Sequence, residues 1–414
     1  MLLGLLLAPL VRRGRLTLIG PGDRTTILGE SRTSASPDAP PVVVRIADHW
    51  TDAKIALDPG RYAGEAYMDG CLIIEEGTIY DLLALIARNA ANSSIGGPVE
   101  ELRARYAYWL RRLHQANPIA RSRANVAHHY DLSRGLYTRF LDSDLQYSCA
   151  YFEQPDMSLE AAQAAKKRHI VAKLVLRDGQ SVLDIGCGWG GFALDIARAA
   201  KVDVLGITLS EEQLGHARRR ALEAGLADRV RFELADYREL AGSFDRIVSV
   251  GMFEHVGIPN YEGFFARIRD RLTQDGVALI HFIGRADGPG TTNPWIRKYI
   301  FPGGYSPSLS ETMPAIERAG LWTTDIEIWR LHYAETLRHW RARFAANRAA
   351  IAALYDERFC RMWEFYLAGS ECAFRFQGHV VFQVQLARSV DAVPLVRDYM
   401  LAPAAVAARA ARAS

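Results

Sequence analysis

From residue 181 onward the chain repeats one pattern, and that pattern restricts the fold more than anything else in it. Five short apolar runs, Ser181–Gly186, Val202–Ile207, Val230–Leu234, Arg246–Val250 and Val277–Ile283, are separated by stretches of helical periodicity. One of these, Glu211–Ala224, is followed by Gly225, the residue a helix C-terminus favours. Strands alternating with helices of 10–15 residues predict an α/β fold, a doubly wound and mostly parallel sheet. After Gly284 the rhythm breaks into a Gly/Pro/aromatic insert ending near Pro307, expected to cap the sheet. A strand at Thr323–Trp329, a helical region at Ala334–Ala368 and a strand at His379–Leu386 follow.

Ahead of this lies a different texture. Leu16–Ile19 and Val42–Ile46 read as strands either side of a polar, Pro/Ser-rich loop from Glu30 to Pro41. A helical run, Ile79–Ala91, leads through the polar 89–98 stretch to a basic helix, Glu100–Gln115. With 414 residues there is room for two domains. The expected division is an α+β domain at 1–115, a catalytic domain at 116–395 and a loose tail at 396–414.

Composition removes several classes. A net charge of +3 with 23% charged residues gives no case for nucleic acid. The charge is uneven, with arginines at 103, 105, 111, 112, 121 and 123, which suits an anionic surface as well as a solvated helix face. Five cysteines without a CxxC pair imply a reducing compartment and no structural zinc. His128 and His129 are adjacent and badly spaced for one metal, so no metal site is expected. The apolar start, Leu2–Leu10, has no basic residue ahead of it and is too short to span a bilayer, so it reads as a short docking helix.

The chemistry begins at Val182-Leu183-Asp184-Ile185-Gly186-Cys187-Gly188-Trp189-Gly190-Gly191, a glycine-rich turn that ends a strand and opens a helix. Glycines there allow close backbone approach to a ligand, and open α/β sheets bind ligands at their carboxyl ends. The order G-x-G-x-G-G behind Asp184 is not the dinucleotide form. It resembles the first motif of S-adenosylmethionine methyltransferases, which makes Asp184, Gly186 and Gly188 cofactor candidates. The second strand ends without an acid for ribose hydroxyls, so Thr208 and Gln213 would supply that grip through hydroxyl and amide groups. Asp236, after the third strand, could accept from an adenine amino group or be a solvated loop aspartate.

Four further segments carry a more specific resemblance: Tyr147-Ser148-Cys149-Ala150-Tyr151-Phe152, Val250-Gly251-Met252-Phe253-Glu254-His255-Val256-Gly257, Tyr299-Ile300-Phe301-Pro302-Gly303-Gly304 and Asn125-Val126-Ala127-His128-His129-Tyr130-Asp131-Leu132. With the glycine turn, and in this order, they resemble the cyclopropane-fatty-acyl-phospholipid synthases and the related mycolic acid cyclopropane synthases. The resemblance covers roughly residues 120–390. It implies a class I S-adenosylmethionine methyltransferase fold and cofactor contacts at Tyr147, Ser148, Gly186, Thr208 and Gln213. It also implies a bicarbonate base held by Cys149, Glu254, His281, Ile283 and Tyr333. The implied substrate is a membrane phospholipid with an unsaturated acyl chain. The implied setting is cytoplasmic, peripheral at the inner face of the membrane, with a homodimer as the oligomeric expectation.

Each residue also has a plainer reading. Cys149 could be a small buried apolar residue, His281 a satisfied core histidine, and Tyr333 the start of a helix. Tyr151, Phe152, Phe253, Trp295 and Tyr305 are candidates to face a carbocation. The stripe Trp340, Phe344, Tyr355, Phe359, Trp363 and Tyr366 reads as core or acyl-pocket wall. The competing functions are a methyl-branching or methylene-forming enzyme of the same fold, an inactive lipid-binding protein, and a small-molecule methyltransferase.

Overall fold

The computed structural model describes residues 1–30, 40–90 and 133–401. The Pro/Ser-rich loop at 31–39, the arginines of 103–123, the segment 125–132 and the tail from 402 lie outside the described residues.

The chain divides into two compact units that do not follow its linear order. Of the described residues, the first holds 1–30 and 40–90 together with Thr291–Pro302 and Tyr333–His379; the second holds 133–290, 303–332 and 380–401. Both the centre of the expected cap and the whole 334–368 helical region therefore belong with the N-terminal residues. A helix with one apolar stripe is satisfied by any complementary core, so its place in the sequence does not say which it joins.

The first unit is built on a four-stranded sheet. β1 (Arg15–Ile19), β2 (Thr25–Gly29), β3 (Val42–Ile46) and β4 (Leu72–Glu76) take the order β2-β1-β3-β4. β1 pairs β3 in parallel, and the outer pairs are antiparallel. Along β1 and β3 burial alternates, so Leu16, Leu18, Val42, Val44 and Ile46 line one face. That face packs with Leu82 and Leu85 of the helix Ile79–Ala90 and with Ala368 of the helix Glu357–Phe376. Each such side chain, fully buried, contributes about 1.5–3 kcal/mol. The apolar start does form a short helix, Leu2–Leu7, whose first amides donate to the buried Asp52 carboxylate at 2.7 and 3.0 Å. The 334–368 region is three helices, His332–Ala346, Arg348–Leu354 and Glu357–Phe376. Of the stripe, Trp340, Phe344, Trp363 and Tyr366 are buried core, whereas Tyr355 and Phe359 are only half-buried.

The second unit is a seven-stranded sheet. Its strands are β5 (Ser181–Ile185), β6 (Asp203–Thr208), β7 (Val230–Leu234), β8 (Phe244–Val250), β9 (Leu272–Arg285), β10 (Trp322–Trp329) and β11 (His379–Ala387). They run in the order β10-β11-β9-β8-β5-β6-β7. β7-β6-β5-β8-β9 is a parallel succession, and β10 pairs β11 antiparallel. Strand order reverses between β5 and β8, the topological switch point where open α/β sheets form their crevice. Helices Leu159–Leu174 and Gly191–Ala199 cover one part of the sheet, and Tyr261–Arg271 and Leu309–Arg318 another. Phe253, one of the carbocation candidates, is fully buried against Tyr261, Phe264, Phe265 and Phe282 and is a core residue. Trp295 is likewise core in the first unit, packed on Phe365, with its indole N–H on Met68 Sδ at 3.3 Å.

Candidate active site

β5 ends in the glycine turn, and three of its glycines hold positive φ: Gly186 at 82°, Gly188 at 54° and Gly190 at 82°. Space demands glycine as well as conformation. A Cβ on Gly190 would stand 2.7 Å from Ala217 Cβ, and one on Gly206 of the neighbouring strand 2.6 Å from the Phe232 ring. The amides of Gly186 and Cys187 both donate to the Ile207 carbonyl, at 3.0 and 2.9 Å, which folds the turn over the end of β6.

Beneath that turn is a cleft. Tyr147, Ser148, Asp184, Gly186, Gly188, Thr208, Gln213 and Asp236 all line it, so the eight residues singled out for a cofactor share one wall system. Thr208 donates its hydroxyl to Gln213 Oε1 at 2.9 Å, and both side chains are buried. Asp236 is engaged by Arg238, whose Nε and Nη2 donate to its two oxygens at 2.8 and 2.6 Å. It is thus no solvated loop aspartate. Asp184 is 2% exposed, and its Oδ2 has no hydrogen-bond partner among the described residues. Burial pushes its carboxyl up to about 7, against a smaller downward pull from Lys166.

The cleft also takes Lys166, Trp189, Met252 and His255, none of which the sequence reading nominated. Lys166 had a signal. In the helix Leu159–Leu174 it shares the buried face of Leu159, Ala162, Ile170 and Leu174, and a lysine on an apolar face is unusual. His255 is held down to about 4 by burial, and so is neutral at pH 7.

A second group forms around β8 and β9. Val250 is opposite His281 in register, and the short 3-10 turn Phe253–His255 follows β8. Glu254 is thereby set beside the end of β9, where its Oε1 accepts from the Ile283 amide at 2.7 Å. Its Oε2 is buried with no hydrogen-bond partner among the described residues, and burial raises the carboxyl to about 7. His281 is 2% exposed, edge-on to Trp329 at 5.2 Å, with Gln383 Nε2 3.1 Å from its Nδ1. Burial, with the charges of Lys166 and Lys173, drives it well below its ordinary value, so the ring is neutral. With Gln383 donating to Nδ1, the ring proton sits on Nε2.

Cys149 is fully buried, its Sγ 3.3 Å from the Ala150 carbonyl. Its segment is clamped by Tyr151, stacked between His169 and His332 at 4.8 Å each, and by the Phe152 amide donating to His332 Nδ1 at 3.1 Å. Four of the five residues expected around the anion, Cys149, Glu254, His281 and Ile283, lie in the second unit. Tyr333 belongs to the first, where it packs on Phe374 and edge-on to Trp340.

Comparison with known proteins follows these features. The family model described as "Mycolic acid cyclopropane synthetase" matches residues 118–384. The cyclopropane-fatty-acyl-phospholipid synthase of Escherichia coli (strain K12) is 44% identical over 266 residues, 64% of this chain and 67% of that protein. The tuberculostearic acid methyltransferase UfaA1 of Mycobacterium tuberculosis is 36% identical over 387 residues, 87% of this chain and 86% of its own length. Among solved structures, the mycolic acid cyclopropane synthase CmaA1 complexed with SAH and CTAB superposes with a TM-score of 0.61 at 35% identity. It covers 64% of this chain and 98% of that one.

Proposed function

The chain belongs to the mycolic acid cyclopropane synthetase family, and from that premise we propose that it adds a one-carbon unit from S-adenosylmethionine to the double bond of an unsaturated phospholipid acyl chain, closing a cyclopropane ring. The observation that carries this reading is a pair of buried carboxyls, Asp184 in the cleft and Glu254 beside it, each with an oxygen that has no hydrogen-bond partner among the described residues.

S-adenosylmethionine, when bound, supplies an electrophilic methyl group. The cleft fits it: Gly186 and Gly188 leave the backbone open, Thr208 and Gln213 offer hydroxyl and amide to a ribose, and Asp184 Oδ2 awaits a donor. An alkene is a weak nucleophile, so the walls must hold it in line and keep water out. Methyl transfer would break the sulfonium S–CH₃ bond, its electron pair staying on sulfur as S-adenosylhomocysteine, while the alkene π pair forms a carbon–carbon bond at one carbon and leaves its neighbour positive. A proton then leaves the new methyl group, and its electron pair closes the ring.

That proton needs a base, and the residues around Glu254 suit bicarbonate. With its carboxyl raised to about 7, Glu254 is about half protonated near pH 7, and the neutral form donates a hydrogen bond to an anion. His281 adds Nε2–H and Cys149 a buried thiol. Of the aromatic candidates for the positive charge, Phe152 and Tyr305 remain, because His169 and His332 cover the two faces of the Tyr151 ring. Among the described residues no helix is long and apolar enough to cross a membrane. Contact with the bilayer would be peripheral, at its inner face, through the first unit, which exposes Leu5, Trp50 and Leu57.

A second reading keeps cofactor and lipid but ends in a methyl branch. The observation favouring it is that UfaA1, matched over most of both chains, is named a methyltransferase. Lipid mass spectrometry separates the readings, in a host with unsaturated chains and no synthase of its own. Expression should add one CH₂ per modified chain, with the upfield ring signal in proton NMR. A gain without that signal selects the methyl branch, and no gain sinks both.

A further inference from the structure

The helix Leu159–Leu174 buries three lysines, and two of them have carboxylate partners. Lys167 pairs with Asp144 and Asp195, and Lys173 with Asp325 and Glu327. Lys166, 1% exposed, has none: among the described residues no carboxylate lies within ion-pairing distance of its ammonium. It donates instead to two neutral oxygens, Gln146 Oε1 and Ser148 Oγ, each at 2.8 Å. An ammonium has three donors, so one is left over. Burial without a counter-charge is costly for any ion, and here it draws the group down to about 8.

Lys166 lines the cleft, and so does Asp184 with its unpartnered Oδ2. The charge of Lys166 pulls the Asp184 carboxyl down, though less than burial raises it, and the two form no ion pair. One cavity therefore presents an unmatched cation and an unmatched carboxyl beside the glycine turn. A ligand bearing a carboxylate and an ammonium on one carbon answers both.

We infer that Lys166, fixed by Ser148 and Gln146, is the residue that binds the carboxylate of the cofactor's amino-acid end. This rests on the reading of the cleft as an S-adenosylmethionine site. Lys166 is then a specificity residue: it separates the full cofactor from adenosyl thioethers that lack the amino acid.

Calorimetry on the full chain tests it with two probes, S-adenosylhomocysteine and 5′-methylthioadenosine, the latter lacking the amino-acid end. Lys166→Met should weaken S-adenosylhomocysteine by ~10-fold or more, the scale of a hydrogen bond to a charged group. Methylthioadenosine should bind unchanged, and Lys166→Arg should restore part of the loss. Equal affinity of wild type and Lys166→Met for S-adenosylhomocysteine overturns the inference, as does equal weakening of both probes. Should the variant fail to fold, wild type is titrated with descarboxy S-adenosylhomocysteine, and binding as tight as the parent compound overturns the inference without a mutation. Wild type that binds neither probe rejects the cofactor reading itself.

Discussion

Burial holds the carboxyls of Asp184 and Glu254 up to about 7, and this has a consequence for stability. Unfolded carboxyls titrate at roughly 4. Between those values the folded chain binds more protons than the unfolded one, so stability is greatest below the window and falls as pH rises through it. The ligand-free protein should therefore lose Tm between about pH 4.5 and 7 from these groups. In the double variant Asp184→Asn, Glu254→Gln the decline should flatten, and superimposable profiles would refute the assignment. Glu254→Gln alone keeps an acceptor for the Ile283 amide but loses the titrating proton. Turnover should fall by about 10²-fold or more, with S-adenosylhomocysteine affinity intact. A matching loss of affinity would make Glu254 part of the cofactor site instead. Most of these residues were legible because short motifs carried them. Lys166 was legible only in part: AAQAAKKRH shows lysines among apolar helix positions, but not that Lys167 takes carboxylate partners while, among the described residues, Lys166 takes none.

Elements place these groups through close approach of backbones. Gly206 lies in β6 where any Cβ would meet the Phe232 ring at 2.6 Å and Cys187 Cβ at 3.0 Å. Gly206→Ala should cost about 1–3 kcal/mol as an overpacking change and loosen the glycine turn, read as lower Tm with weaker S-adenosylhomocysteine binding. Wild-type values for both would show that the strand has room to spare. The parallel strands were legible because each is an apolar run between helices. β2 was not, since Thr25-Thr26-Ile27-Leu28-Gly29 sets its two apolar residues side by side and buries only Leu28. The breaks that divide residues 332–376 into three helices fall at Asn347 and at Tyr355-Asp356, inside a stretch whose aromatic spacing reads as continuous.

At the scale of the whole molecule, the first unit is assembled from three separate stretches of chain. Ala368 of the helix Glu357–Phe376 packs in the core of the N-terminal sheet, and Cys372 of the same helix packs against Ala84 and Ala87. A protein lacking residues 1–90 should expose that apolar face and lose a cooperative transition, checked by calorimetry and light scattering. A monomeric, cooperatively unfolding product would contradict this. Sequence order alone suggested a cut near residue 115, because linear reading assigns each helix to its neighbours and cannot see which core it completes. The central claim, that a base in the second unit removes a proton from the newly transferred methyl group, is open to one direct measurement. Purified protein is given vesicles of unsaturated phospholipid and S-adenosylmethionine carrying a trideuterated methyl group, and the lipid product is analysed by mass spectrometry and NMR. The account predicts a ring carbon that retains two of the three deuterons, the third lost to solvent. A product that keeps all three would contradict it.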